Sequence, residues 1–129
     1  MSDYLLDTTT IIDYLRDKGG VPGLLEQLCT AGGLLCCCPV NIIEVYEGMK
    51  DKEKTATDKF LNSLKCCEIT QEAGYITGNL KRKYSKMGIT LSTADVLIAA
   101  TAIKHHLTLV TNNAKHFPSE EITMLCYDR

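Results

Sequence analysis

Apolar residues along the chain follow two rhythms: short continuous runs, and longer stretches in which they recur every three or four positions. The runs read as buried strands and the stretches as amphipathic helices. Tyr4-Leu5-Leu6 predicts a first strand ending at Asp7. Residues 8–18 predict a helix with Ile11, Ile12 and Leu15 on one face, stopped by Gly19-Gly20. Leu24 to Thr30 continues as a second helix, with Pro22 near its start and Gly32-Gly33 beyond its end. Leu34 to Cys38 predicts a second strand, closed by Pro39. Asn41 to Lys50 follows as a helix with Ile42, Val45, Tyr46 and Met49 facing inward, and the charged run 50–54 as a solvated turn. Ala56 to Leu64 predicts another helix and Cys66 to Ile69 a third strand. Gln71 to Met87 is a long helix ended by Gly88, and Ser92 to His105 a further one. Leu107 to Thr111 and Ile122 to Cys126 complete the strands. Strands alternating with helices predict an α/β domain whose central, mainly parallel sheet has about five strands flanked by helices.

Composition narrows this picture. The 129 residues fit one domain, and 45% hydrophobic with 23% charged residues excludes a disordered tail, a collagen-like fibre or a low-complexity linker. Lys and Arg number 14 against 16 Asp and Glu, a net charge of −2. There is no bulk basic field, so any grip on nucleic acid must come from a local patch or from bound cations. Asp3 stands where a signal peptide has a basic region, and Tyr4-Leu5-Leu6 is too short for its apolar core. Val96-Leu97-Ile98-Ala99-Ala100 is broken at Thr101, short of the ~20 residues a membrane span needs. The seven cysteines (Cys29, Cys36, Cys37, Cys38, Cys66, Cys67 and Cys126) are odd in number and contain no C-x-x-C pair. In a strand, Cys36 and Cys38 share one face and Cys37 the other, so the triplet cannot chelate as a unit. The expectation is reduced, buried thiols in a cytoplasmic protein.

Parallel α/β sheets bind ligands at the carboxyl ends of their strands, where loops and helix N-termini converge. Four polar residues are predicted there. Asp7 follows the first strand, Glu44 sits early in the helix after the second, Asp95 lies in the first turn of the Ser92 helix, and Asn113 follows the fourth strand. Three carboxylates and an amide on one edge form an oxygen-donor set suited to Mg²⁺ or Mn²⁺. Each also has a structural use: Ser92-x-x-Asp95 is a capping-box spacing, Asp7 and Glu44 gain from helix dipoles, and Asn113 suits a turn. The run after Asp95 is apolar on all sides, which predicts a buried helix with a deep N-terminus, where a carboxylate needs a partner. Lys81, Arg82, Lys83 and Lys86 cluster on the long helix as a solvated face or a phosphate- or partner-contacting one. His105, His106 and His116 have no metal-ligand spacing with one another.

Four blocks carry a family resemblance: residues 5–13 (LLDTTTIID), 43–48 (IEVYEG), 91–102 (LSTADVLIAATA) and 109–117 (LVTNNAKHF). In this order they resemble PIN-domain proteins, specifically the VapC-type toxins of toxin–antitoxin pairs. The resemblance implies a PIN-like three-layer fold and a Mg²⁺- or Mn²⁺-dependent endoribonuclease that hydrolyses RNA phosphodiester bonds. It implies Asp7, Glu44 and Asp95 as metal ligands and Asn113 as the fourth polar position, often Asp in the wider family. It gives Thr9, where the family often has Asn or Ser, a role in orienting a water or phosphate. Glu47, one helical turn beyond Glu44, is an accessory ligand or a surface residue. A VapB-like antitoxin and a homodimer are implied as partners. A PIN nuclease of RNA processing and a catalytically silent PIN-fold binding module are the alternatives. A haloacid-dehalogenase phosphatase would need Asp at position 9, which is Thr, and a receiver domain would need an Asp closing the third strand, where 66–70 has none.

Overall fold

In the computed structural model, which describes residues 2–118 and 120–129, the strands are Tyr4–Leu6 (β1), Leu35–Cys37 (β2), Lys65–Cys66 (β3), Thr108–Thr111 (β4) and Met124–Cys126 (β5). They form one sheet in the order β3-β2-β1-β4-β5, and every neighbouring pair is parallel. The chain walks outward from β1 to β3, then crosses back to place β4 on the other side of β1. That reversal makes the carboxyl ends of β1 and β4 the topological switch point, where helices leave on opposite faces and a crevice opens between them.

The helices are Thr8–Leu15 (α1), Val21–Thr30 (α2), Pro39–Gly48 (α3), Lys54–Ser63 (α4), Gln71–Lys86 (α5) and Thr93–Lys104 (α6). Strand alternation divides the core between the two sheet faces. Leu5, Cys36 and Leu109 pack with Cys38, Cys67, Phe117 and, from α6, Ile98, Ala99 and Ala102. Leu6, Cys37 and Val110 point the other way, to Ile11 of α1, Val21 and Leu25 of α2, Val45 of α3 and Leu61 of α4. Small alanines let α6 lie close against the strands, while its Val96 meets Leu80 and Tyr84 of α5, which forms the outer wall.

Most predicted elements are present, with shifted ends. The first helix stops at Leu15 because Asp17, Gly19 and Gly20 take positive φ angles of 52°, 63° and 68°. The second begins at Val21, with Pro22 inside its first turn, where the missing N–H costs nothing. Cys38 leaves the strand to cap α3, so that helix starts at Pro39. Tyr46 does not face inward as expected: it is 39% exposed, and its hydroxyl donates to Asp58, because only the Val45 side of α3 meets the core. The charged run after Lys50 contains a short 3₁₀ turn, Asp51–Glu53, instead of a plain turn. The third strand is only Lys65–Cys66, a short edge, and Ile69 is exposed beyond it. All seven cysteines are free thiols. Cys36, Cys37, Cys38 and Cys67 are buried as expected, but Cys29, Cys66 and Cys126 are exposed on α2, β3 and β5. Burial pushes the Cys36 and Cys37 thiols up to about 12, so both stay protonated as core-filling groups. Among the described residues no helix is long and apolar enough to cross a membrane.

Leu6 is fully buried on the face covered by α1 to α4. Leu6→Ala should lower unfolding free energy by about 2–5 kcal/mol in urea titration, while Cys29→Ser on the surface should stay within about 0.5 kcal/mol of the parent.

Candidate active site

Asp7 ends β1 and begins α1, and both facts fix its carboxylate. Its N–H donates to the Val110 carbonyl at 2.9 Å, continuing the parallel ladder into the crevice. Its side chain caps α1, with Oδ1 accepting the Thr8 N–H at 2.7 Å. Oδ2 accepts the hydroxyls of Thr111 at 2.8 Å and Thr9 at 3.0 Å. Thr111 is the last residue of β4, so the strand pair that makes the switch point also supplies a ligand to the acid there. Burial is the largest influence on Asp7 and raises its pKa above the ordinary carboxylate value; the Thr111, Thr9 and Thr8 hydrogen bonds pull it down, and the nearby Asp95 charge raises it further. No cationic group bonds to it among the described residues.

Glu44 is half-buried on α3, and a chain of hydrogen bonds leads to it. The Cys38 N–H donates to Asn41 Oδ1 at 2.8 Å, Asn41 Nδ2 to Thr8 Oγ1 at 3.0 Å, and Thr8 Oγ1 to Glu44 Oε1 at 2.7 Å. Thr8 therefore touches both acids, through its N–H to Asp7 and through its hydroxyl to Glu44. Asn41 is fully buried and spends its whole amide on this chain.

Asp95 lies in the first turn of α6, where its N–H donates to Ser92 Oγ at 3.0 Å. The cap predicted by the Ser92-x-x-Asp95 spacing is thus half made: among the described residues the Asp95 carboxylate takes no hydrogen bond. Asp95 is also less deep than expected, half-buried, with full burial beginning one residue later at Val96. Its carboxylate is left available, close enough to Asp7 for the two charges to repel.

Asn113 stands in the loop after β4 as expected, its N–H donating to Thr111 Oγ1 at 2.9 Å. The side chain from this loop that bonds into the site is its neighbour. Asn112 Oδ1 accepts from Thr9 Oγ1 at 3.0 Å, and its Nδ2 lies 3.5 Å from Asp13 Oδ2. Thr9 has one hydroxyl proton to divide between Asp7 and Asn112. Glu47 is exposed on α3. The basic cluster does not act as one surface: Lys83 pairs with Glu121 at 2.6 Å, and Lys81 Nζ donates to Thr93 Oγ1 at 2.7 Å, at the start of α6.

The structure therefore joins Asp7 to Glu44 through Thr8 and sets Asp95 within electrostatic reach of Asp7. Among the described residues no three His, Cys, Asp or Glu side chains stand close enough together to hold an ion by themselves. The donor set nevertheless suits a hard divalent cation, which commonly takes one or two carboxylates and completes its shell with water and phosphate oxygens. A buried carboxylate whose partners among the described residues are two hydroxyls and a backbone N–H, with a second carboxylate repelling it, gains from a cation more than from any further hydrogen bond. Thr8, Asn41, Thr111 and Asn112 escape sequence reading because hydroxyls and amides are common at strand ends and caps; the structure adds the Cys38–Asn41 cap, a spacing that leaves a weak trace in the sequence.

The family described as PIN domain matches residues 4–119, a span that contains Asp7, Glu44, Asp95 and Asn113. Ribonuclease VapC19 of Mycobacterium tuberculosis is 32% identical over 114 residues, covering 88% of this chain and 91% of that protein. Ribonuclease VapC2 of Rickettsia felis is 32% identical over 119 residues, covering 88% and 89%. Among solved structures, VapBC2 from Rickettsia felis bound to a DNA fragment from its promoter superposes with a TM-score of 0.84 over 97% of this chain and 98% of that one, at 23% identity, and has the same fold.

The raised pKa of Asp7 fixes the sign of a stability effect. Folding favours its protonated form, so its contribution is present below the unfolded-state pKa of 3.8 and is lost as pH rises through the higher folded value. Asn caps a helix as well as Asp does and carries no charge. In EDTA, Asp7→Asn should therefore melt above the parent at pH 7, and the gap should close below pH ~4; thermal melts across that range test it.

Proposed function

The chain belongs to the PIN-domain family, and from that premise we propose that it is a metal-dependent endoribonuclease, the toxin of a VapBC-type toxin–antitoxin pair, hydrolysing RNA phosphodiester bonds. The observation that carries this reading is the Asp7 carboxylate: buried at the switch point, bonded to no cation among the described residues, tied to Glu44 through Thr8 and repelled by Asp95. The relatives named VapC ribonucleases support the reaction class.

Asp7, Glu44 and Asp95 would hold Mg²⁺ or Mn²⁺. When bound, such an ion neutralises charge that builds on the phosphate in the transition state and makes water acidic enough to attack at neutral pH. The chain's own residues do the positioning. Thr111 and the Thr8 N–H keep Asp7 in one rotamer, and Asn41 through Thr8 fixes the near oxygen of Glu44. Among the described residues Glu44 Oε2 and the Asp95 carboxylate take no hydrogen bond and are available to accept. The Thr9 hydroxyl lies at the rim, able to orient a water or a phosphate oxygen. Lys81, held at the N-terminal turn of α6, would supply a positive charge for the RNA backbone, and Asn113, whose N–H bonds Thr111 Oγ1, would offer an amide from the loop after β4. A protein with a net charge of −2 can thus hold a polyanion through bound cations and one local lysine. A VapB-like antitoxin would restrain this activity, and the chain would act as a homodimer in the cytoplasm.

Removing one charged ligand should slow the reaction by about 100-fold or more, the size expected when several kcal/mol of transition-state stabilisation are lost. RNA cleavage by the parent should require Mg²⁺ or Mn²⁺ and stop in EDTA. Asp95→Asn keeps its N–H bond to Ser92, so it should fold normally and cleave poorly. Cleavage at the parent rate by a well-folded Asp95→Asn would leave Asp95 as a helix-terminal residue and remove this mechanism.

A further inference from the structure

Asp13 takes no part in the mechanism above, yet this charged residue is 1% exposed. Its Oδ2 accepts the Tyr127 hydroxyl at 2.8 Å, Arg129 Nε lies 3.1 Å from Oδ1, and Asn112 Nδ2 lies 3.5 Å from Oδ2. Tyr127 is itself tied down, its N–H donating to the Thr111 carbonyl at 3.2 Å. The segment following β5 thus closes over α1 beside the acidic crevice.

We infer that Asp13, held in place by Tyr127 and Arg129, is a positioning residue that orients the Asn112 amide and thereby sets how the Thr9 hydroxyl is shared with Asp7. This rests on the reading of Asp7 as a cation ligand.

Donors and acceptors decide which way the Asn112 amide turns. An amide can face Thr9 with its oxygen or its nitrogen. The carboxylate of Asp13 accepts only, so it favours the Asn112 nitrogen on its own side and leaves the oxygen toward Thr9. The Asn112 oxygen then competes with Asp7 Oδ2 for the single Thr9 proton, both at 3.0 Å. Asp7 Oδ2 is left less satisfied and better able to take a cation. If Asp13 loses its charge, the amide is free to turn. Its nitrogen can then donate to Thr9, whose proton goes wholly to Asp7 and lowers that oxygen's appetite for an ion. Tyr127 takes one lone pair and fixes the carboxylate plane, and the Arg129 ion pair on Oδ1 holds the segment after β5 against α1. Such outer partners of a ligand usually change metal affinity by about 10–100-fold.

The test is Mn²⁺ binding by the full chain without RNA, read from the loss of the free-ion electron paramagnetic resonance signal, with melting temperatures in EDTA alongside. Asp13→Asn should weaken Mn²⁺ binding by about tenfold. Asn112→Ala, which removes the competing oxygen at a half-buried site, provides a variant that should fold even where Asp13→Asn does not, and should weaken binding to a similar degree. A purely structural role predicts lower melting temperatures with unchanged Mn²⁺ affinity, and that result would overturn the inference. Asp7→Asn is the reference. If it abolishes Mn²⁺ binding while the Asp13 and Asn112 variants bind like the parent, only the positioning role fails. If Asp7→Asn also binds Mn²⁺ like the parent, the reading of the site fails first.

Discussion

A carboxylate at the end of the central strand has to be accommodated where little water reaches it, and much of the crevice is built around that requirement. Asp7 is 4% exposed. An unpaired charge at that depth costs several kcal/mol, and a hydrogen bond to a charged group returns about 1.5–3 kcal/mol. Three donors therefore converge on Asp7: the Thr8 N–H, the Thr9 hydroxyl and the Thr111 hydroxyl. None of them brings a positive charge, so burial still outweighs them in raising the Asp7 pKa, and the site retains an attraction for cations. The topology makes this possible. Because β4 lies beside β1, the residue that follows two core side chains in β4, Leu109 and Val110, arrives next to Asp7 with its hydroxyl aimed at it.

The sheet was legible because burial imposes local patterns. Leu5 and Leu6 go to opposite cores, Cys36 and Cys38 share a face that Cys37 does not, and α6 is apolar on every side where it meets the sheet. Element ends were less legible, since they depend on particular backbone angles, as at Asp17 and Gly19, or on a cap, as at Cys38. Tyr46 shows the limit of periodicity: it sits at a core spacing on α3, but it stays 39% exposed and turns its hydroxyl to Asp58 of α4 instead of entering the core.

The site divides in the same way. The acids stood out because a carboxylate at a strand end or helix start is chemically marked, and the family resemblance placed Asp7, Glu44 and Asp95 together. The residues that arrange them are far apart in sequence. Asn41 reaches Thr8, Thr111 reaches Asp7, and Tyr127 reaches Asp13 across separations of 33, 104 and 114 residues. No local pattern records such pairs, and Thr or Asn after a strand is ordinary turn chemistry. The loop after β4 illustrates this: adjacent asparagines look equivalent in sequence, yet Asn112 bonds into the site through its side chain and Asn113 through its backbone.

The central claim is that the crevice at the ends of β1 and β4 is a cation site built on Asp7. A crystal of the chain soaked in Mn²⁺ and measured at the manganese absorption edge addresses it directly. The account predicts an anomalous peak bound to an Asp7 oxygen at about 2.1 Å, with Asp95 or Glu44 completing the protein ligands and water filling the remainder. A well-ordered Asp7 with no peak beside it, or manganese bound only elsewhere on the surface, would contradict the account.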